Sequence, residues 1–285
     1  MIRFPVRLVV TACLLAGCAS AARLMPSSLP PIAAGNARLP GKIVWRDLVT
    51  PDLAGAQRFY GGVFGWQFEK VTDDYVLARN GDRLVGGIAA LSSAADGSQW
   101  LAQIAVSDVE QAAAAAQRTG GKILLGPLAL PGRGEVVVVR DPQGAVFGMI
   151  HTSEGDPPDV APADGDWLWS ELWVSSPQQV AEFYFPLFNY TPGTQVVNGR
   201  QYTYFKSGGK ARGGLVPKPD AQLGNAWVSY VRVADVDAVV ARAPQFGGRV
   251  LLAPTPDVRK GSVAILADPG GAGVLVQEWP IRGES

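Results

Sequence analysis

The stretch that decides the fold is FYGGVFGW, residues 59–66, because its opening pair recurs as Phe183-Tyr184. Trp45 and Trp169 are separated by the same 124 residues. After a three-residue insertion the offset becomes 127, and it holds in order for Gly86-Gly87 with Gly213-Gly214, Trp100 with Trp227, Asp108-Val109 with Asp235-Val236, Gly120-Gly121 with Gly247-Gly248, and Asp141-Pro142 with Asp268-Pro269. An ordered series with one insertion indicates an internal duplication.

Each copy divides again into two similar units. In the first copy, residues 42–49 are typical of a strand, Pro51 is placed to open a helix that ends near Phe64, and strand-like runs follow. The next unit repeats this order, with a capping box at Ser107-x-x-Glu110 before an alanine-rich helix. The pattern predicts an α+β fold of four βαβββ units.

Length and composition favour two domains of ordinary size. The 285 residues are 47% hydrophobic and 9% aromatic, which is enough to bury two cores. Proline-rich breaks predict their boundaries. The predicted ranges are a tether over 18–40, a first domain over 41–152, a linker over 153–165 and a second domain over 166–280. The balance of 25 Lys+Arg against 25 Asp+Glu excludes a nucleic-acid partner, since no long-range positive field results.

The beginning of the chain has the features of an export signal. Arg3 and Arg7 precede a short apolar run that cannot span a bilayer and ends in Leu15-Ala16-Gly17-Cys18. That ending resembles a bacterial lipobox, which implies cleavage of residues 1–17 as a signal peptide and lipidation of Cys18. An ordinary secretory signal is the alternative. We expect a lipid anchor in the bacterial cell envelope, and Ala19 favours the periplasmic face of the outer membrane over the inner membrane.

The four units resemble the vicinal-oxygen-chelate superfamily of glyoxalase I, bleomycin-resistance proteins and extradiol dioxygenases. The segments that carry the resemblance are Trp45–Asp52, Phe59–Trp66, Ser107–Gly121 and Asp141-Pro142-Gln143-Gly144. The resemblance covers residues 41–280 and implies two tandem domains with curved, open mixed sheets. Strands that start with tryptophan look most like a hydroxylase-like branch poor in metal ligands. Activity does not follow, because one fold serves lyases, dioxygenases and binding proteins.

Metal enzymes of this superfamily hold a divalent ion through His, Gln or Glu. The corresponding positions here are Trp45, Trp169, Leu101, Val228, Gly148 and Leu275, none with a ligand atom. One histidine, His151, and two cysteines, both near the beginning of the chain, exclude a His/Cys cluster and a Ser-His-Asp triad. We predict no metal and no cofactor. The repeat equivalents Asp47 and Glu171 are the candidates for an all-carboxylate site, and pairing or solvation of each is the alternative.

Aromatic and polar side chains recur on the central strands. The candidate ligand-binding residues are Trp45, Asp47, Trp100, Gln103, Trp169, Glu171, Trp227 and Tyr230. Tryptophans stack on flat molecules while polar groups orient them, and core packing is the alternative. Strand alternation places Gln103 and Tyr230 opposite Trp100 and Trp227. Gly86-Gly87 indicates a bulge or a close strand approach, and the loop 131–134 with Arg133 is typical of a solvated hairpin.

These observations predict a metal-independent protein that binds a small hydrophobic or aromatic molecule. A metal-dependent glyoxalase-type lyase or dioxygenase is the alternative, and an envelope interaction module without a small ligand is a second one. The expected partners are a small-molecule ligand and, through the lipid anchor, a membrane. The chain is expected to be a monomer or a homodimer, and no catalytic residue is assigned.

Overall fold

A computed structural model describes residues 28–91, 97–197 and 200–283, so the predicted signal peptide and Cys18 lie outside the described residues. The strands of the first half are β1 Ile43–Thr50, β2 Gln67–Lys70, β3 Tyr75–Asn80, β4 Arg83–Ala90, β5 Gln99–Ala105, β6 Lys122–Leu130, β7 Gly134–Arg140 and β8 Val146–Thr152. Those of the second half are β9 Trp167–Val174, β10 Thr191–Val197, β11 Arg200–Ser207, β12 Lys210–Pro217, β13 Ala226–Val233, β14 Arg249–Leu252, β15 Val263–Ala267 and β16 Gly273–Glu278. The helices are α1 Leu53–Phe64, α2 Val109–Arg118, α3 Pro177–Phe188 and α4 Val236–Arg242, with short 3-10 helices at Ala243–Phe246 and Arg259–Gly261.

Each half forms one open eight-stranded mixed sheet. The strand orders are β2-β3-β4-β1-β5-β8-β7-β6 and β10-β11-β12-β9-β13-β16-β15-β14. The two central strands of each sheet are antiparallel, and each pairs in parallel with the last strand of its own unit. The prediction of four βαβββ units in two tandem domains is therefore confirmed.

The aspartates that cap two of the helices directly follow Pro51 and Ser107, where the sequence had placed the helix starts. Asp108, rather than Ser107, accepts a hydrogen bond from the Gln111 backbone N–H at 2.8 Å and begins α2. Asp52 accepts from Gly55 N at 2.8 Å, so Pro51 lies before α1 and does not open it. Both helices begin later than predicted because the aspartate next to the predicted residue is an equally good N-cap.

The helices lie between the two sheets and pair across the two halves of the chain. Helix α1 packs against α4, and α2 packs against α3, so the two halves share two hydrophobic cores. The contacts are reciprocal. A Cβ on Gly121 would lie 3.0 Å from the Phe183 ring, and a Cβ on Gly248 would lie 2.1 Å from the Phe59 ring. The pairs Gly120-Gly121 and Gly247-Gly248 therefore leave space for a phenylalanine of the other half, as expected of two copies related by an approximate twofold axis.

The described part of the predicted tether is packed against the first sheet. Leu29 and Ile32 are buried, and the Leu29 backbone N–H donates to Pro131 O at 2.8 Å. Arg38 Nη1 donates to Thr152 O at 2.6 Å. The prediction of a tether over residues 18–40 was therefore wrong for residues 28–40, because two apolar side chains among the prolines find a buried surface. No helix in the described ranges is long and apolar enough to cross a membrane.

Candidate functional site

A carboxylate cluster lies on the face of the first sheet that is turned away from the helices, which we call the outer face. Asp47 Oδ1 accepts hydrogen bonds from Trp45 Nε1 at 2.9 Å and from the Tyr75 hydroxyl at 2.8 Å. Asp47 Oδ2 accepts from Gln103 Nε2 at 2.5 Å. The Arg133 guanidinium lies 4.1 Å from the centre of the Trp45 ring and donates to the Tyr75 oxygen at 3.4 Å. Asp47 therefore binds three side chains directly, and Arg133 joins the cluster through Tyr75 and Trp45.

The second sheet repeats this cluster around Glu171. Oε1 of Glu171 accepts from the Tyr202 hydroxyl at 3.0 Å and from Arg259 Nη2 at 2.8 Å. Oε2 accepts from the Tyr230 hydroxyl at 2.7 Å and from Trp173 Nε1 at 3.0 Å. Four donors thus use the hydrogen-bonding capacity of both carboxylate oxygens.

The tyrosines of the second cluster are fixed as donors. Burial, followed by the charge of Glu171, raises the pKa of Tyr230 well above its ordinary value. The same two causes raise the pKa of Tyr202. Because both hydroxyls stay protonated over the working pH range, they hold the carboxylate in place and do not act as bases.

The Gly-Gly pairs of β4 and β12 make these clusters possible. A Cβ on Gly87 would lie 2.0 Å from the Tyr75 hydroxyl oxygen and 2.3 Å from Asp47 Oδ1. A Cβ on Gly214 would lie 2.0 Å from the Tyr202 hydroxyl oxygen. The close approach expected at these pairs is thus an approach of tyrosine and carboxylate across the strand, for which only glycine leaves space.

The two outer faces differ in how far they are covered. In the first, Leu29 and Ile32 pack with Trp45, and the Pro30 carbonyl accepts from Arg133 Nε at 3.2 Å. Trp45 is consequently only 2% exposed. In the second, Trp169, Trp173 and Arg259 are partly exposed, as are Leu251 and Leu252 beside them. The second outer face is therefore the accessible one.

The structure brings six of the eight candidate residues together in two groups. Trp45, Asp47 and Gln103 lie in the first cluster, and Trp169, Glu171 and Tyr230 lie in the second, where Trp169 Nε1 donates to the Tyr202 hydroxyl at 2.8 Å.

Trp100 and Trp227 lie on the other face, inside the helical cores. Trp100 Nε1 donates to the Tyr60 hydroxyl at 2.7 Å, and Trp227 Nε1 donates to Tyr184 at 3.3 Å. Both side chains are buried there, which is the core packing given as the alternative for them, because the alternation that separates them from Gln103 and Tyr230 directs them at the helices.

Five members of the clusters were not among the candidates from the sequence: Tyr75, Arg133, Trp173, Tyr202 and Arg259. Tyr75 and Tyr202 are repeat equivalents at the offset of 127, so the repeat comparison would have found them. Arg133 was expected in a solvated loop, yet it is 1% exposed. The corresponding arginine of the second cluster is Arg259, which lies 5.0 Å from the centre of the Tyr230 ring and donates to Glu171.

The donor sets do not fit a divalent metal ion. Asp47 and Glu171 each accept hydrogen bonds from neutral or cationic groups, and neither has a second carboxylate or an imidazole as a neighbouring ligand. Among the residues described, no group of three or more His, Cys, Asp and Glu side chains is arranged to hold a metal. His151 Nδ1 lies 3.2 Å from the Val106 carbonyl oxygen, at a strand end. The carboxylates are paired, which is the alternative weighed for them.

Comparison with known proteins places the fold. Residues 42–149 match the Glyoxalase/Bleomycin resistance protein/Dioxygenase superfamily. The chain is 28% identical over 237 residues to "Putative glyoxylase CFP32" of Mycobacterium tuberculosis, covering 80% of this chain and 91% of that protein. It is 27% identical over 263 residues to the anthracycline biosynthesis protein DnrV of Streptomyces peucetius, covering 84% and 94%.

Solved structures show the same fold at lower identity. The Mn(II)-bound glyoxalase of Novosphingobium aromaticivorans superposes with a TM-score of 0.59 at 15% identity, covering 84% of this chain and 82% of that one. A variant of homoprotocatechuate 2,3-dioxygenase from Brevibacterium fuscum gives a TM-score of 0.58 at 14% identity, covering 90% and 76%.

Proposed function

We propose that the protein binds a small hydrophobic or aromatic molecule without a metal ion. The premise is that residues 42–149 match the Glyoxalase/Bleomycin resistance protein/Dioxygenase superfamily and that the second half repeats their fold. The proposed binding surface is the outer face of the second sheet. It consists of Trp169, Trp173, Tyr202 and Arg259 around Glu171, bordered by Leu251 and Leu252.

One observation carries this proposal: the second outer face leaves two tryptophans partly exposed beside a carboxylate whose hydrogen bonds are all made within the protein. Trp169 and Trp173 provide flat apolar surface. Glu171 is neutralised by Arg259 and anchored by Tyr202 and Tyr230. Such a surface favours contact with an uncharged ring over coordination of an ion.

The names of the relatives are consistent with an aromatic ligand. DnrV is named for anthracycline biosynthesis, and anthracyclines are planar polycyclic compounds. The relative named as a glyoxylase supports the alternative of a metal-dependent lyase, as does the general fold of metal-binding neighbours. We favour the metal-independent function because hydrogen-bond donors already surround both carboxylates.

A fluorescence titration of the full chain with 1-naphthol tests the proposal. We expect saturable quenching of tryptophan emission, with affinity unchanged after treatment with a chelator. Trp173→Leu is expected to weaken binding at least tenfold. Trp279→Leu is the control, because Trp279 is 48% exposed and belongs to neither cluster. Equal affinities of the two variants would overturn the assignment of the site, and a requirement for Mn²⁺ would favour the lyase. No binding at all would favour an interaction module without a small ligand.

We also propose that Cys18 carries a lipid anchor and that the protein lies at the periplasmic face of the outer membrane. Because residues 28–32 pack on the first domain, only about ten residues separate the lipid from the folded part, a reach of about 35 Å. The domain would therefore stay near the membrane surface. Cys18→Ser is expected to abolish incorporation of an alkyne-labelled fatty acid and to release the protein from membranes. Cys13→Ser is the control, and equal labelling of both variants would contradict the anchor.

A further inference from the structure

A cavity of about 310 Å³ lies between the two sheets and carries an excess of positive charge. Its wall is formed by the beginnings of β1, β4, β9 and β12, with residues 157–162 of the linker across it. Four cations line it, Lys42, Arg46, Arg83 and Arg212, against the two carboxylates of Asp159 and Asp166. Trp45 and Trp169 of the outer-face clusters also line this inter-sheet cavity, whereas the carboxylates Asp47 and Glu171 do not.

Both carboxylates are engaged by cations other than Arg46. Asp159 forms ion pairs with Lys42 at 3.0 Å, Arg212 at 2.8 Å and Lys210 at 3.1 Å. Asp166 is paired with Arg83. No negative charge among the lining side chains is therefore left for Arg46.

Arg46 is a buried cation of this cavity that forms no ion pair with a described residue. It is 8% exposed, and its guanidinium lies 4.6 Å from the centre of the Trp167 ring. Nε donates to Ser229 Oγ at 2.9 Å and Nη2 donates to Ser170 Oγ at 2.8 Å. Both partners are neutral, and in the described part of the chain no carboxylate forms an ion pair with Arg46. No residue within the described ranges accepts a hydrogen bond from Nη1, so this nitrogen is left for a ligand.

A buried guanidinium without a counter-charge is costly, even when it is hydrogen-bonded to hydroxyl groups. Burial lowers the pKa of Arg46 to about 9, which still leaves the side chain charged at neutral pH. An anion that enters the cavity would compensate this charge. Arg212 adds a second unused donor, since its buried Nε has no hydrogen-bond partner within the described ranges.

We propose that the inter-sheet cavity binds a small planar aromatic carboxylate. Its carboxylate would face Arg46, because a guanidinium presents its donors in the plane that a carboxylate requires. Its ring would lie against apolar wall residues, among them Trp167, Leu84 and Leu168. The cavity shares Trp169 with the outer face proposed above but not Trp173, Tyr202 or Arg259, so a ligand in either place does not require one in the other.

Isothermal titration of the full chain with 2-naphthoate, and with uncharged 2-naphthol as the comparison, tests the proposal. We expect Arg46→Met to weaken 2-naphthoate binding at least tenfold and to change 2-naphthol binding less than twofold. Unchanged 2-naphthoate affinity in Arg46→Met, or no binding to the wild type, would overturn the proposal. Trp173→Leu should leave 2-naphthoate binding intact. The proposal for this cavity and the proposal for the outer face of the second sheet are therefore tested independently.

A second variant guards against loss of folding in Arg46→Met. Ala211 is exposed and lines the cavity, so Ala211→Trp narrows it without changing a buried position. We expect this variant to weaken 2-naphthoate binding at least fivefold. Ala221→Trp is the matched control, because Ala221 is exposed and is not among the lining residues. Wild-type affinity in Ala211→Trp would count against the cavity as the binding site.

Discussion

Arg46 donates a hydrogen bond to Ser170, the residue at the same position of the other half of the chain, 124 residues away. Ser170 Oγ also lies 3.0 Å from Ser229 Oγ, and Ser229 accepts from Arg46 Nε. Equivalent residues of a duplicated chain meet only near the axis that relates the copies. Two arginines at that point would repel each other in a buried place. The two copies accordingly have different residues at this position, Arg46 in the first and Ser170 in the second.

This contact predicts a coupling that can be measured. Ser170→Ala removes one acceptor of a buried guanidinium, so we expect the free energy of unfolding to fall by about 1–3 kcal/mol. In the background of Arg46→Met the same change should cost less than half as much, since the donor is gone. Urea denaturation of the four proteins gives the comparison. Additive effects would show that the hydrogen bond contributes nothing specific.

The second glycine of each Gly-Gly pair predicts a steric coupling. Gly214→Ala places a methyl group against the Tyr202 hydroxyl, and we expect a loss of about 1–3 kcal/mol in stability. Tyr202→Phe removes that oxygen, so Gly214→Ala should cost less in this background. Gly273→Ala is the control, because a Cβ on Gly273 in β16 has no heavy atom within 4 Å. If Gly214→Ala and Gly273→Ala destabilise equally, the steric account of Gly214 is wrong.

Asp268 predicts a pH dependence of stability. Burial raises the pKa of Asp268 to about 6, although backbone N–H groups and Tyr60 act in the opposite direction. Because the folded state then holds the proton more tightly than the unfolded chain, whose value is about 4, this group makes stability fall as the pH rises from 4 to 6. Above pH 6 its contribution is constant.

Asp268→Asn removes this titration while keeping an oxygen to accept from the Ala272 N–H, a bond of 2.8 Å. We expect the variant to be up to about 3 kcal/mol more stable than the wild type at pH 8, with the difference vanishing near pH 4. Thermal denaturation across this range measures it. A difference that does not change with pH would refute the raised pKa.

The segment that covers the first outer face predicts a local effect of one substitution. Leu29→Asp places a charge where Leu29 is 3% exposed, and we expect a loss of about 2–4 kcal/mol in stability. Uncovering Trp45 should also increase quenching of tryptophan emission by acrylamide. Val160→Asp is the control because Val160 is 61% exposed. Unchanged quenching in Leu29→Asp would show that residues 28–32 do not shield Trp45.

The repeat in the sequence was sufficient for the fold, whereas the site was only partly predictable. Asp47 and Glu171 were found because they are equivalents on a central strand, and strand parity placed them with Trp45 and Trp169. Parity also separated Trp100 and Trp227 from that group, but it could not tell which face of the sheet the helices would cover. That depends on contacts between residues far apart in the chain.

The loops were predicted least well. In the sequence, Arg133 is typical of a solvated hairpin. In the structure it stacks on Trp45, and its Nε donates a hydrogen bond to the Pro30 carbonyl oxygen, about a hundred residues earlier in the chain. Nothing local to residues 131–134 indicates this. The cover is supplied by Leu29 and Ile32, whose burial requires the assembled sheet.

The sequence by itself determined the duplication, the order of strands and helices in each unit, and the close approach at the glycine pairs that recur in β4 and β12. These features are set by local residue patterns and by their spacing, which can be read directly from the sequence. The tertiary structure alone decided that helices of opposite halves share a core, that one outer face is covered while the other stays accessible, and that Arg46 is buried between the sheets without a carboxylate. Each of these depends on contacts between residues far apart in the chain. Whether a side chain is buried is decided by those contacts and not by the side chain itself.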